Sequence, residues 1–149
     1  MKVSNHLRNF SNAYDVLERT FNNTYNGIAI VNLEGDWLKV NDSVCETFGY
    51  TRWELFNMDI SNIVYVQDLG VHEEKYEKLI NGEIDKYRVK QRYFHKDGTI
   101  KWMLISVSLV YFKEGRPHMI WQFNDITNRK KSEDKLKAML SVAKEQNER

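Results

Sequence analysis

Residues 82–110 read GEIDKYRVKQRYFHKDGTIKWMLISVSLV, and this stretch decides the fold. From Lys86 onward the side chains alternate: Lys86, Arg88, Lys90 and Arg92 point one way, Tyr87, Val89, Gln91 and Tyr93 the other. Period-two alternation is that of a strand with one wet and one buried face. The turn His95-Lys96-Asp97-Gly98 leads into a long strand from Ile100 to Phe112, which makes an antiparallel hairpin. A second turn, Lys113-Glu114-Gly115-Arg116-Pro117, leads into a last strand from His118 to Asn124.

Upstream of this block the spacing changes to that of a helix over 68–81, with Leu69, His72, Tyr76, Leu79 and Ile80 on one face and Gly82 at its end. Further upstream, GIAIV at 27–31, a turn at 33–36 and WLKV at 37–40 read as a first hairpin. Asn41 and Asp42 suit a helix start. That short helix carries Val44 and Phe48, ends at Gly49, and precedes a one-turn helix at 51–55 and an irregular stretch to Val66. Two leading strands, intervening short helices and three closing strands make an α+β architecture of antiparallel hairpins with no βαβ repeat.

Beyond both ends the pattern is helical. Val3, Leu7, Phe10, Tyr14, Leu17 and Phe21 recur at 4-3-4-3-4 spacing, a seam that either packs on the domain's own sheet or pairs with a second copy. After Asp125 the sequence is charge-rich, with Leu136, Met139, Leu140 and Ala143 as its apolar stripe. It reads as a helix leaving the domain.

Composition bounds the function. At 149 residues with 42% hydrophobic side chains and a single proline, the chain suits one domain with a real core. A net charge of +1 gives no global attraction to nucleic acid or an anionic membrane, so the basic stripe on residues 86–92 reads as a solvated strand face. The single cysteine, Cys45, excludes an internal disulfide and fits a reducing, cytoplasmic setting. No signal peptide is visible, and the longest apolar run, 103–112, is broken by Ser106 and Ser108, so no membrane insertion is expected. Glu73 and Glu74 are adjacent on a helix and diverge, no nucleophile has an activating partner, and no glycine loop cradles phosphate. The chain does not read as an enzyme.

Four segments in this order and spacing, GIAIVNLEGDWLKVN at 27–41, FGYTRWEL at 48–55, residues 82–110, and GRPHMIWQFNDITNRKK at 115–131, resemble a PAS domain with its PAC segment. The resemblance divides the chain into an N-terminal amphipathic helix at 1–20, a PAS/PAC domain at 21–126 and a C-terminal linker or coiled-coil helix at 127–149. It implies a five-stranded antiparallel sheet curled round a small-molecule pocket, with short helices over the concave face. The implied pocket residues are Ile30, Ile60, His72, Tyr76, Gln91, Tyr93, Met103, Ile105, Trp121 and Phe123. Most are apolar or aromatic, which suits an apolar ligand or a dry, nearly filled core; large aromatics favour the latter.

The resemblance further implies that Asp125, Ile126 and Thr127 pass a signal into the last helix. It also implies an effector such as a histidine kinase, in a two-component system, or a diguanylate cyclase, while the seam at Val3, Leu7, Phe10, Tyr14, Leu17 and Phe21, with the amphipathic exit helix, leads to the expectation of a homodimer. The alternative is a ligand-free interaction module. The cofactor is left open. Haem would use His72, where haem-binding relatives place their ligand, against a plain reading in which His72 bonds locally beside Tyr76. Flavin is disfavoured: residues 58–63 are Met-Asp-Ile-Ser-Asn-Ile where photosensors carry Asn-Cys-Arg-Phe-Leu-Gln, Cys45 lies on an earlier helix, and Phe123 stands where a flavin-contacting glutamine is usual. The family's His-Pro-Asp-Asp is here Tyr65-Val66-Gln67-Asp68, and Asp68 is expected to cap the following helix.

Overall fold

The alternation in residues 86–93 is realised as β3 (Lys86–Phe94), whose odd-numbered residues from Tyr87 to Tyr93 are buried. It pairs with β4 (Ile100–Val110), and β4 with β5 (His118–Asp125). β5 also pairs with β1 (Gly27–Val31), which forms a hairpin with β2 (Trp37–Val40). All pairings are antiparallel, and the strand order is β2-β1-β5-β4-β3. The last strand thus joins the leading hairpin to the closing one at the centre of the sheet. The computed structural model describes residues 2–111 and 115–148, and the side chains of 12–111 and 115–148.

Helices α1 (Lys2–Asn22) and α5 (Thr127–Asn147) flank the sheet domain. Between β2 and β3 run α2 (Asp42–Phe48), α3 (Arg52–Phe56), two short 3₁₀ turns at Ile60–Ile63 and Val66–Asp68, and α4 (Glu73–Ile80). Local chemistry explains the short pieces. Asn41 caps α2 through its side chain, and Gly49, at φ +80°, ends it in a left-handed conformation. Thr51 and Glu54 form a reciprocal capping box on α3.

Four expectations are corrected. The helix expected over 68–81 is only α4, preceded by a 3₁₀ turn. Asp68 does not cap it, because its carboxylate is engaged by Arg92, and Leu69 and Ile80 are exposed. The strand expected to reach Phe112 ends at Val110, Phe112 itself lying outside the described residues. Ile30 does not face the concave core: along β1 that face belongs to Gly27, Ala29 and Val31, and Ile30 lies on the opposite face under α1. GIAIV is apolar at every position, so its alternation carried no information about which face is inside.

Asn41 holds these parts together. It is fully buried; its Oδ1 accepts from Ile28 N (2.9 Å) and Val44 N (3.2 Å). Its Nδ2 donates to Phe21 O (2.8 Å), Thr24 Oγ1 (3.0 Å) and Asn26 O (3.1 Å). One side chain therefore ties the end of α1, strand β1 and the start of α2.

Candidate functional site

The concave face of the sheet is lined by Tyr93, Met103, Ile105, Val107, Met119 and Phe123, all buried, and is covered by Val44 and Phe48 of α2, Leu55 of α3 and Leu79 of α4. Phe48 sits edge-on to Tyr93 (5.1 Å between ring centroids) and to Phe123 (5.3 Å), so aromatic rings fill this part of the interior. Polar chemistry is concentrated beside it, where the N-terminus of α4 meets β3 and β5.

His72 occupies the residue before α4. Its Nδ1 lies 2.9 Å from Tyr87 Oη and its Nε2 3.0 Å from Gln91 Oε1. Gln91 Nε2 donates to Asp68 O at 2.9 Å, and Tyr93 Oη donates to Gln91 Oε1 at 2.5 Å. These contacts fix the tautomer. Gln91 Oε1 can only accept, so His72 Nε2 carries the proton, and Nδ1 accepts from the Tyr87 hydroxyl. Every member is satisfied with a neutral ring, and burial pushes the His72 pKa below its ordinary value despite the opposing bond to Gln91. Burial likewise raises the pKa of Tyr87 and Tyr93, which stay protonated.

Trp121 stacks on His72, 4.9 Å between centroids at 27°. Its indole N–H is buried and meets no acceptor among the described residues. Tyr76 closes this end by donating from its hydroxyl to Leu33 O at 2.6 Å. His72, Gln91, Tyr93 and Trp121 are therefore brought together, with Met103, Ile105 and Phe123 in the apolar floor beside them. Ile60 packs at the margin of this core and also lines a cleft of about 590 Å³ between the β1–β2 turn and α3, alongside Glu34, Trp37 and Met58. The local partners of His72 are on β3 and not Tyr76, and this bears on haem. Both ring nitrogens are already bonded and one ring face carries Trp121, so an iron at Nε2 would have to displace Gln91. The donor set does not fit. Cys45 is half-buried on α2 and its thiol pKa is pushed up by burial, which makes it a poor nucleophile.

On the outer face Arg92 is bound to Asp68, which is 7% exposed and wraps over the edge of β3. Arg92 N and Nε donate to Asp68 Oδ2 at 2.8 and 2.9 Å, and Nη2 to Oδ1 at 2.8 Å. The guanidinium lies 4.1 Å from the Tyr65 ring and 4.9 Å from the Trp102 ring. Arg92 thus departs from the solvated stripe expected of it, while Lys86, Arg88 and Lys90 are exposed.

The start of α5 is fastened to β4 at the same tryptophan. Ile126 N donates to Trp102 O (2.9 Å) and Trp102 N to Thr127 Oγ1 (3.0 Å). Thr127 N and Oγ1 donate to Asp125 Oδ1 at 2.9 and 2.5 Å. Ile126 and Thr127 are buried. In α1, Tyr14 and Leu17 are each 68% exposed, whereas Phe21 lies beneath the Lys39 ammonium, 5.0 Å from its ring. The side chains of Val3, Leu7 and Phe10 lie outside the described residues. Asn41 beyond its cap, the Asp68–Arg92 pair and Trp102 were missed in the sequence, because each gains its role from residues remote along the chain.

The family model for the PAS fold matches residues 38–123. The chain belongs to the PAS fold family. Its PAS domain is similar to part of a probable diguanylate cyclase, DgcE, of Escherichia coli K12, with 37% identity over 108 residues. That match covers 72% of this chain and 10% of the relative. The sensor histidine kinase TmoS of Ectopseudomonas mendocina is 25% identical over 117 residues, covering 78% of this chain and 12% of the kinase. Among solved structures, the PAS domain of an HTR-like protein from Haloarcula marismortui superposes with a TM-score of 0.67 at 18% identity. It covers 83% of this chain and 99% of that one, and shows the fold. No described helix of this PAS protein is long and apolar enough to cross a membrane.

Proposed function

We propose that this PAS domain is a cytoplasmic sensory and dimerisation module of a signalling protein, without a catalytic step of its own. In this reading an event in the concave core or at the subunit interface passes through Asp125, Ile126 and Thr127 into α5 and on to an effector such as a diguanylate cyclase or a histidine kinase. The observation that carries it is the clamp at Trp102. Ile126 and Thr127, at the start of α5, are buried and bonded to β4, while Leu136, Met139 and Leu140 further along stand exposed. A helix held at one end by backbone bonds and exposed at the other is suited to transmit a small shift of the sheet as a change in helix pairing. The relatives, in which a segment of this kind is a small part of a diguanylate cyclase or a sensor kinase, support the choice of effector.

The buried Trp121 N–H, without an acceptor among the described residues, supports a small ligand bearing an acceptor atom beside His72. The filled aromatic floor favours the second reading, a ligand-free interaction module. Native mass spectrometry of the purified protein separates the two: added mass lost on denaturation supports the sensor, and the bare chain mass supports the interaction module. For the relay, the chain is fused in helical register through α5 to a diguanylate cyclase domain. Thr127→Val is expected to change cyclic dinucleotide output severalfold. Output indifferent both to that variant and to removal of residues 21–126 overturns the relay.

A further inference from the structure

A β-sheet ordinarily insulates its two faces, because successive side chains on a strand point to opposite sides and touch different neighbours. Gln91 and Arg92 are successive residues of β3 and follow this rule, Gln91 facing the core and Arg92 the outer face. Asp68 breaks the insulation. Lying over the strand edge, it takes the Gln91 amide on its backbone oxygen (2.9 Å) and the Arg92 guanidinium and backbone N–H on its carboxylate. Arg92 is the cross-strand partner of Trp102, and its guanidinium lies against the Trp102 ring (4.9 Å). The same ring carries the Lys130 ammonium of α5 at 5.3 Å, and the Trp102 backbone holds Ile126 and Thr127.

We propose that Asp68 and Arg92 are positioning residues that connect the core network around Gln91 to the first turn of α5 across the edge of the sheet. The inference rests on the relay reading above and gives it a second route besides β5. The carboxylate is bidentate and the guanidinium is bounded by two aromatic rings, so Arg92 cannot follow a displaced Asp68 without changing its contact on Trp102. A shift of the Gln91 amide moves the Asp68 backbone and hence both ends of this pair. The same pair restrains Tyr65, whose N donates to Arg92 O at 2.9 Å, so the connecting segment moves with the strand edge.

The test is a mutant cycle read by amide hydrogen exchange, in the intact chain, at Ile126–Lys130. Exchange at Ile105 serves as the reading of global stability. Gln91→Leu, which removes the core amide, is expected to lower protection of the first α5 turn by about fivefold relative to Ile105, the size of coupling expected within one bonded network. In an Arg92→Lys background, which keeps the charge but loses the planar fork, Gln91→Leu is expected to leave that relative protection unchanged. An Asp68→Asn background should behave alike. An equal effect of Gln91→Leu in all three backgrounds overturns the route, as does no effect in the unmodified chain. A purely structural role for Arg92 would lower Ile105 and α5 protection together without abolishing the response to Gln91→Leu. Failure of the fusion assay with this cycle intact would remove the proposed relay to an effector and leave the connection standing.

Discussion

His72 binds a proton less readily in the folded chain than in the unfolded one, and the sign of the consequence is fixed by that difference. Burial lowers its pKa from about 6.5, so below that pH the unfolded state holds more protons than the native state until the native ring also titrates. Stability therefore falls as pH drops through this window and levels off beneath it. Urea unfolding between about pH 7.5 and pH 5.5 should show a falling midpoint that is flatter in His72→Gln. Equal slopes would place the effect elsewhere, since Asp68, held below the usual carboxylate range by Arg92, loses its contribution only in more acid solution. Asn41 predicts a larger effect. Asn41→Ala leaves buried groups of α1, β1 and α2 without partners, and chemical denaturation should register a loss of about 3 kcal/mol. At this scale the sequence was partly legible. The parity of Gln91 and Tyr93 followed from alternation, and Asn41 was visible as a cap. Its contact with Phe21 and the Asp68–Arg92 pair join residues twenty or more positions apart, and no local pattern encodes them.

The strands and hairpins were read where alternation contrasts charge with apolar character, as in β3, and where turns carry glycine, as at Gly98. The limits appear where that contrast is missing. In β1 both faces are covered, one by the core and one by α1, so composition could not orient Ile30. The segment 68–81 satisfied helical spacing equally well as a 3₁₀ turn followed by two turns of α-helix, and a tertiary bond chose between them by occupying Asp68. Gly49 is a position where element ending and packing coincide. A Cβ there would lie 2.4 Å from the His95 ring in addition to adopting φ +80°. Gly49→Ala should therefore cost about 2 kcal/mol, read as a lowered melting temperature. The distal part of α5 contributes little to the fold. Its apolar residues Leu136, Met139, Leu140 and Val142 are 54–61% exposed, and truncation after Lys131 should shift the melting temperature by less than about 3 °C.

As a whole the molecule is an antiparallel sheet domain with two helices, each of which presents exposed apolar residues among its described side chains. Tyr14 and Leu17 on α1 and Leu136, Met139 and Leu140 on α5 are exposed at both ends of the same unit. Exposed stripes of this size at helical spacing are usual for interaction surfaces. Sedimentation at tens of micromolar is expected to give a dimer that Leu17→Glu and Leu140→Glu each weaken. A monomer at every concentration, unchanged by either substitution, would remove the dimer from the reading. The sequence exposed these stripes plainly, because periodicity is a local property.

The cover over β3 has another consequence. An edge strand offers unpaired backbone groups to any passing strand, and β3 is nine residues long. Here the bridge from Val64 to Tyr93 and the bond from Tyr65 N to Arg92 O occupy one end of that edge, while Lys75 Nζ takes the Arg88 carbonyl and Lys86, Arg88 and Lys90 charge the rest. One end of the strand is thereby covered, and charge guards the remainder against templated β-addition. At this edge, neighbouring copies of the domain held at high local concentration meet charge and a covering segment in place of an open nine-residue template.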